Sequence, residues 1–177
     1  MEVVVLRLGH RIARDKRIST HCALVARAFG AREIIFSGEK EEAIITTVNS
    51  ISKKWGGKFS ARYEAAWKKA LREFKGIKVH LTMYGIPFEK TIQPIKRVVY
   101  LEKTKLMVVV GAEKVPGEVY GLCDYNLSVT SQPHSEVGAL AVFLYELTRG
   151  SKINYPGAEI KIVPQKSGKK VVATRAS

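Results

Sequence analysis

Strand-like segments alternate with helix-like segments through most of the chain, and this alternation limits the possible folds more than any other feature. Val3–Leu8, Glu33–Phe36 and Leu106–Val110 are rich in apolar and β-branched residues, as buried strands are. In the helix predicted around Ile44 and Val48, apolar residues recur every three or four positions. The pattern predicts an α/β fold with a mainly parallel sheet flanked by helices, in which ligands bind beyond the carboxyl ends of the strands.

Turn and capping residues predict the boundaries of the other elements. Ser19–Thr20 predicts the start of a helix that ends at Gly30. Pro87 predicts the start of a short helix that ends at a break at Gln93–Pro94. The remaining predicted elements are strands over residues 58–61, 77–82 and 125–129, and helices over residues 67–74, 118–122 and 137–150.

The chain changes character after Gly150. Ile160 and Ile162 alternate with charged residues, Ser167–Gly168 can form a turn, and Val171–Val172 can pair back. The sequence therefore predicts a core domain over residues 1–150 and a basic C-terminal extension over residues 151–177, folded as a β-hairpin. The lysines of this extension are consistent with two interpretations, phosphate binding or an unstructured basic tail.

The net charge points to a polyanionic partner. Thirty Lys and Arg residues against sixteen Asp and Glu residues give a net charge of +14. Such a positive field attracts nucleic acid, because basic side chains displace the counterions of phosphates. A protein that is basic only for solubility is the alternative interpretation.

Several common classes are disfavoured by what the sequence lacks. No apolar run approaches the roughly 20 residues of a membrane helix, so we predict a soluble, cytoplasmic protein. The two cysteines and four histidines show no spacing typical of a metal site, so no metal is expected. The glycine fingerprint of dinucleotide-binding proteins, the phosphate loop of nucleotide hydrolases and the serine hydrolase elbow are also absent. The candidate ligand loops that remain are Met83–Gly85, Gly111–Gly117 and Thr130–Ser135.

Residues near the N-terminus and residues in and around these loops together resemble the four motifs of one family. The first motif corresponds to LGHR at residues 8–11, RDKR at 14–17, STH at 19–21 and ARAFGA at 26–31. The second corresponds to HLTMYG at residues 80–85, and the third and fourth to VVVGAEKVP at 108–116 and QPHSE at 132–136. The chain resembles the archaeal tRNA ribose methyltransferases that act on cytidine 56 in the T-loop, which belong to the SPOUT class.

The resemblance implies more than the residue patterns do. It implies a C-terminal trefoil knot, whereas periodicity alone predicts an ordinary doubly wound sheet. It also implies a homodimer with active sites at the subunit interface, and transfer of a methyl group from S-adenosylmethionine, bound in the knot, to a ribose 2′-hydroxyl of tRNA. A non-catalytic RNA-binding protein of basic α/β fold is the alternative, and a dinucleotide oxidoreductase is disfavoured by the missing fingerprint.

The cofactor residues are assigned by the same resemblance. Leu81, Val115 and Val129 are expected to form apolar walls for the adenine, and Gly111 lets backbone approach a ligand closely. Ser135 fits equally well as the N-cap of the final helix. The predicted cofactor residues are Leu81, Gly111, Ala112, Glu113, Lys114, Val115, Val129, Thr130, Ser131, Gln132, Pro133, His134, Ser135 and Glu136. The chain departs from the broader class at His134, where asparagine is usual, and at Lys114–Val115, where glycines are usual.

One arginine is predicted to act in catalysis. A ribose hydroxyl must lose its proton when it attacks a methyl group, which requires a base or a nearby positive group. In related SPOUT ribose methyltransferases an arginine of the first motif does this, and the loop predicted after the first strand holds Arg11, Arg14 and Arg17. We hypothesise that Arg17 activates the ribose hydroxyl across the dimer interface. The alternative is that all three arginines only grip RNA phosphates.

Overall fold

A parallel sheet of six strands forms the centre of the molecule. The computed structural model describes residues 2–111, 114–149 and 151–174, without the side chain of Lys16. The strand order is β3-β2-β1-β5-β4-β6, and all neighbouring strands are parallel. This confirms the predicted α/β fold. The strands are β1 (Val3–His10), β2 (Glu33–Gly38), β3 (Ser60–Tyr63), β4 (Ile77–Pro87), β5 (Leu106–Gly111) and β6 (Tyr125–Ser128).

Helices cover both faces of this sheet. The larger hydrophobic cluster joins one face to α1, α2, α4 and α6, and the smaller cluster joins the other face to α3 and α5. Because both faces are covered, strands such as β5 are apolar without interruption. The helices are α1 (Ile12–Ala28), α2 (Glu42–Trp55), α3 (Trp67–Glu73), α4 (Ile92–Tyr100), α5 (Glu118–Leu122) and α6 (Glu136–Thr148), with a 3₁₀ turn at Phe88–Lys90.

The prediction for the start of α1 was wrong. The helix begins at Ile12, and Ser19 lies buried in its interior. The first backbone donors are satisfied by acidic side chains instead of by a serine cap: Ile12 N donates to Glu39 Oε2 at 2.7 Å, and Arg11 N donates to Asp15 Oδ2 at 3.1 Å. Arg17 therefore lies on a helix and not in a loop.

The predicted break at Gln93–Pro94 was also wrong. Helix α4 begins at Ile92 and continues through Pro94. Proline is tolerated there because the backbone N–H groups of the first helical turn have no partner within the helix.

Strand β4 is longer than expected, and the candidate loop Met83–Gly85 lies within it. Its pairing with β6 is interrupted between Leu81 and Ile86. A Cβ atom at Gly85 would lie 2.6 Å from the backbone of Asn126, so glycine permits the two strands to pass this closely.

The chain after α6 forms the predicted hairpin. Its antiparallel strands are β7 (Ile160–Ile162) and β8 (Val171–Ala173). The segment before the hairpin packs on the sheet domain, where Tyr155 donates to the carbonyl of Ala28 at 2.7 Å and the Arg27 guanidinium lies 5.1 Å from the Tyr155 ring. Gly150, where the final helix was predicted to end, lies outside the described residues. In the described part of the chain no helix has the length and apolar character of a membrane span.

Candidate active site

Two cavities lie side by side at the carboxyl edge of the sheet. The β1–β5 cavity, of about 420 Å³, opens beyond β1, β2 and β5, and the β4–β5 cavity, of about 430 Å³, opens beyond β4 and β5. Both volumes lie in the range of about 300–1,000 Å³ that is typical of ligand pockets. Gly111, Lys114 and Val115 line both cavities, so ligands in the two spaces would meet at the loop after β5.

The β4–β5 cavity brings together about half of the predicted cofactor residues. Val129 packs half-buried against the core, and the exposed residues 130–133 lie beside the cavity without lining it. Ala112 and Glu113 lie outside the described residues. The predicted residues that line this cavity are Leu81, Gly111, Lys114, Val115, His134 and Glu136.

Other lining residues were not predicted as cofactor residues. Met83 and Tyr84 belong to the candidate loop Met83–Gly85, whose position after a predicted strand was the signal for them. The lining residues outside that loop, which the sequence did not assign, are His80, Thr82, Tyr120 and Ala139.

His80 presents an unsatisfied hydrogen-bond acceptor in this wall. The Asn126 side-chain N–H donates to the carbonyl of Tyr120 at 3.0 Å, so Asn126 Oδ1 accepts from His80 Nδ1 at 2.9 Å. Burial lowers the pKa of His80 below its ordinary value of 6.5, although the Asn126 hydrogen bond acts in the opposite direction. The ring is therefore neutral at pH 7, with its proton on Nδ1 and a lone pair on Nε2. Nε2 is buried and has no partner among the described residues.

The expected cofactor fits this cavity. Leu81 and Val115 provide apolar surface for an adenine, the acceptor of His80 fits an amino group, and the Lys114 ammonium fits a carboxylate. A Cβ atom at Gly111 would collide with the Val115 side chain, so glycine is needed for the loop to fold back over the cavity. Among the described residues no cluster of His, Cys, Asp or Glu suits a metal ion.

Glu136 is held by a buried arginine that sequence analysis missed. Arg7 lies within β1 at 0% exposure and donates from Nη2 to Glu136 Oε1 at 3.1 Å. Its Nε and Nη1 atoms are buried and have no partner among the described residues. The sequence did contain a signal for this contact, since Arg7 is a charged residue within an otherwise apolar strand. Because a buried charge is costly unless it is paired, this arginine fixes the carboxylate at the N-terminus of α6.

A chain of polar side chains connects the β1–β5 cavity to α1. His10 lines the cavity, and its Nδ1 lies 2.8 Å from Ser19 Oγ while its Nε2 lies 3.1 Å from Glu41 Oε2. All three side chains are largely buried. Since a carboxylate only accepts hydrogen bonds, Nε2 donates to Glu41. These contacts tie the end of β1 to α1 and to the start of α2.

The three arginines of the first motif have different surroundings. Arg11 lines the β1–β5 cavity and forms an ion pair with Asp15 at 3.2 Å, whereas Arg14 and Arg17 are exposed on α1. Burial raises the pKa of Asp15, but the hydrogen bond from Arg11 and the charges of Arg7 and Arg11 lower it further, so the carboxyl stays ionised. Arg17 lines neither cavity of its own chain, and its catalytic role stays a prediction.

Ser135 caps α6. Its Oγ accepts a hydrogen bond from Gly138 N at 3.1 Å, and its side chain does not line the β4–β5 cavity. The alternative interpretation of this residue as a helix cap is thus confirmed, and its predicted contact with the cofactor stays a prediction.

Replacing Ser135 with alanine separates these two roles. We expect the free energy of unfolding to fall by about 1 kcal/mol, since an N-cap is lost, while the affinity for S-adenosylmethionine changes less than two-fold. Chemical denaturation and calorimetry measure the two quantities. Ser135→Asp is the control, because aspartate also caps helices. A large loss of cofactor affinity in Ser135→Ala alone would contradict the expectation.

The fold is shared with known RNA methyltransferases. A TrmH/SpoU tRNA modifying enzyme from A. aeolicus matches with a TM-score of 0.56 and 15% identity, over 83% of this chain and 74% of that one. The SpoU methyltransferase AviRb from Streptomyces viridochromogenes, solved with AdoMet, matches with a TM-score of 0.55 and 16% identity, over 86% of this chain and 59% of that one. The fold of the sheet domain is therefore that of the TrmH/SpoU methyltransferases.

Sequence relatives narrow the class to one family. The model of the family described as tRNA ribose 2′-O-methyltransferase, aTrm56, matches residues 55–172. Proteins named tRNA (cytidine(56)-2′-O)-methyltransferase match from Archaeoglobus fulgidus, at 55% identity over 98% of this chain and 99% of the relative, and from Methanocaldococcus jannaschii, at 53% identity over 97% of both. The chain belongs to the aTrm56 family of tRNA ribose 2′-O-methyltransferases.

Proposed function

We propose that this protein transfers a methyl group from S-adenosylmethionine to the ribose 2′-hydroxyl of cytidine 56 in the T-loop of tRNA. Family membership supports the reaction, and the relatives that share about half of their residues with this chain are named for that nucleotide. The observation that carries the proposal in the structure is the pair of cavities that meet at Gly111, Lys114 and Val115. This arrangement suits a cofactor and a substrate that must come into contact.

The β4–β5 cavity is the proposed cofactor site. S-adenosylmethionine supplies an activated methyl group. The protein therefore has to bind and orient the cofactor and the substrate, and to exclude water from the site. Leu81 and Val115 pack against the adenine, and Lys114 neutralises the carboxylate of the methionine part. Glu136, held by Arg7 at 3.1 Å, adds a fixed negative charge to the cavity that contains the sulfonium. In this proposal the trefoil knot implied by the resemblance shapes the same cavity.

The basic side chains are proposed to bind the tRNA and to activate its ribose hydroxyl. The net charge of +14 supports binding of the tRNA backbone. Arg17 is proposed to stabilise the 2′-oxygen as it loses its proton, directly or through a phosphate. Since Arg17 lies outside both cavities of its own chain, it would act in the site of a partner subunit. The lysines of the extension over residues 151–177 would add contacts to the tRNA, and an enzyme of tRNA modification would work in the cytoplasm.

The proposed dimer surface lies on α1 and α6. These helices pack against each other, and apolar side chains on them face outward: Ile18 is 39% exposed, Val142 43% and Tyr145 55%. Large apolar side chains exposed on two neighbouring helices are typical of protein interfaces. Helix α1 also carries Arg17, so pairing through this surface would bring the arginine of one chain near its partner.

Charge placed on this surface should break the dimer. We expect Val142→Asp to be a monomer in sedimentation, because an unpaired carboxylate in an apolar interface is costly, and to lose methyl transfer. Leu101→Asp is the matched control: Leu101 is 74% exposed, follows α4 and belongs to neither helix of the proposed surface, so this variant should behave as the wild type. A Val142→Asp dimer, or a fully active monomer, would contradict the shared active site.

One experiment tests the reaction itself. Purified protein is incubated with labelled S-adenosylmethionine and unmodified tRNA, and the methyl group is mapped. We expect label only on cytidine 56, and none when that position carries 2′-deoxycytidine. RNA binding without cofactor binding would favour the non-catalytic alternative, and label on a base or another ribose would refute the assignment.

A further inference from the structure

We propose that the β1–β5 cavity receives the cytosine of the target nucleotide and that Glu39 recognises its exocyclic amino group. This inference rests on the proposed function and adds a base-reading site to it. The cavity lies beyond β1, β2 and β5, and it shares Gly111, Lys114 and Val115 with the proposed cofactor site. A nucleotide with its base in this cavity would therefore place its ribose near the shared loop, where the methyl group is delivered.

The walls of the cavity suit a base that has left its stack. Enzymes that act on a nucleotide within folded nucleic acid commonly turn it out into a pocket, where the base stacks on aromatic or apolar side chains. Trp67, Val115 and Pro116 supply such surface here, and Trp67 is held half-buried by the smaller hydrophobic cluster. Arg11 and Lys114 provide positive charge for the phosphate and for the oxygen of the base.

Glu39 is positioned by contacts that leave part of its carboxylate available. Its backbone N–H donates to the carbonyl of His10 at 2.8 Å, and its Oε2 accepts from Ile12 N at 2.7 Å. These contacts fix the residue at the mouth of the cavity, between the end of β2 and the start of α1. Among the described residues the carboxylate has no further hydrogen-bond or ion-pair partner.

The chemistry of a carboxylate selects cytosine over uracil. Cytosine carries an amino group at C4, which donates hydrogen bonds, whereas uracil carries a carbonyl oxygen there. Glutamate and aspartate accept from the cytosine amino group. Against uracil, the Glu39 carboxylate would face another acceptor without a proton between them, and the pairing would fail.

Glu39→Gln tests this recognition and keeps the contact with α1. The amide oxygen of glutamine still accepts from Ile12 N, and its N–H group now fits the uracil carbonyl. The kcat/KM for tRNA with cytidine 56 and for tRNA with uridine 56 is measured for both enzymes. We expect the wild type to prefer cytidine by roughly ten-fold to hundred-fold and Glu39→Gln to lose most of this preference. Both enzymes receive the same RNAs, so effects on RNA folding cancel when the preference of Glu39→Gln is divided by that of the wild type.

The same preference for cytidine 56 over uridine 56 is measured for a control variant. Glu42→Gln removes an exposed carboxylate that does not line the cavity, so its preference should equal that of the wild type. If Glu39→Gln slows both substrates by the same factor, or leaves both unchanged, Glu39 has only a structural role and the inference is wrong.

A binding measurement separates this inference from the proposed function. Trp55 and Trp67 are the two tryptophans of the chain, so Trp55→Phe leaves Trp67 as the reporter in the cavity. We expect its fluorescence to change saturably with cytidine monophosphate, and less with uridine monophosphate. Equal or absent responses to both nucleotides overturn the inference. A wild type that binds cytidine monophosphate but methylates no tRNA would refute the proposed function and leave the base site supported.

Discussion

Gly111→Ala is expected to weaken S-adenosylmethionine binding by roughly ten-fold to hundred-fold, since forcing a methyl group into a packed site costs about 1–3 kcal/mol. A Cβ atom at this position would collide with Val115 Cγ2. The valine side chain cannot turn away easily, because β-branched residues are stiff at χ1. The loop after β5 must therefore move, and this loop lines both cavities. Calorimetry with the cofactor measures the effect.

Gly121→Ala is the matched control for this substitution. Gly121 lies in α5, and a Cβ atom there would have no neighbour within 4 Å. Alanine also favours helices over glycine, so stability should stay the same or rise slightly. We expect cofactor affinity to be unchanged in this variant. If Gly111→Ala binds the cofactor as tightly as Gly121→Ala does, the β4–β5 cavity is not the cofactor site.

Arg17→Ala is expected to reduce kcat by about 100-fold to 10,000-fold, the range that a positioned acid–base group contributes. The guanidinium is exposed on α1, and its positive charge can stabilise an oxygen that loses its proton. Single-turnover methylation of tRNA measures the chemical step. Cofactor affinity should stay within two-fold of the wild type, because Arg17 lines neither cavity of its own chain.

Whether Arg17→Ala changes kcat or KM distinguishes a catalytic role from phosphate binding. A residue that binds substrate and transition state equally well raises KM when it is removed and leaves kcat unchanged. Arg72→Ala, which removes an exposed arginine of α3, is the control for a general loss of charge. A normal kcat in Arg17→Ala would refute the catalytic role and favour the alternative in which the first-motif arginines only hold RNA.

Local patterns predicted much of the fold. The alternation of apolar strands with helices is encoded within a few residues, so β1, β2, β5 and the C-terminal hairpin lie close to where the sequence placed them. The start of α1 was misplaced because Glu39, which accepts from Ile12 N at 2.7 Å, comes from the end of another strand. Such a contact cannot be read from the neighbouring Ser19.

The candidate site was predicted less completely than the fold. Gly111, Lys114 and Val115 belong to a loop whose position after a strand already indicated ligand binding. The sequence did not indicate that His80 and Glu39 line the two cavities with acceptor atoms, because this depends on which of their atoms other parts of the chain already occupy.

The sequence by itself determined the α/β class, the basic charge, the loops that follow the strands and the family resemblance. Only the tertiary structure decided that these loops form two adjoining cavities and that Arg7 pairs with Glu136, 129 residues away along the chain. The physical reason is that periodicity and capping act over one or two turns, whereas burial of a charge depends on partners that meet only when the sheet is assembled.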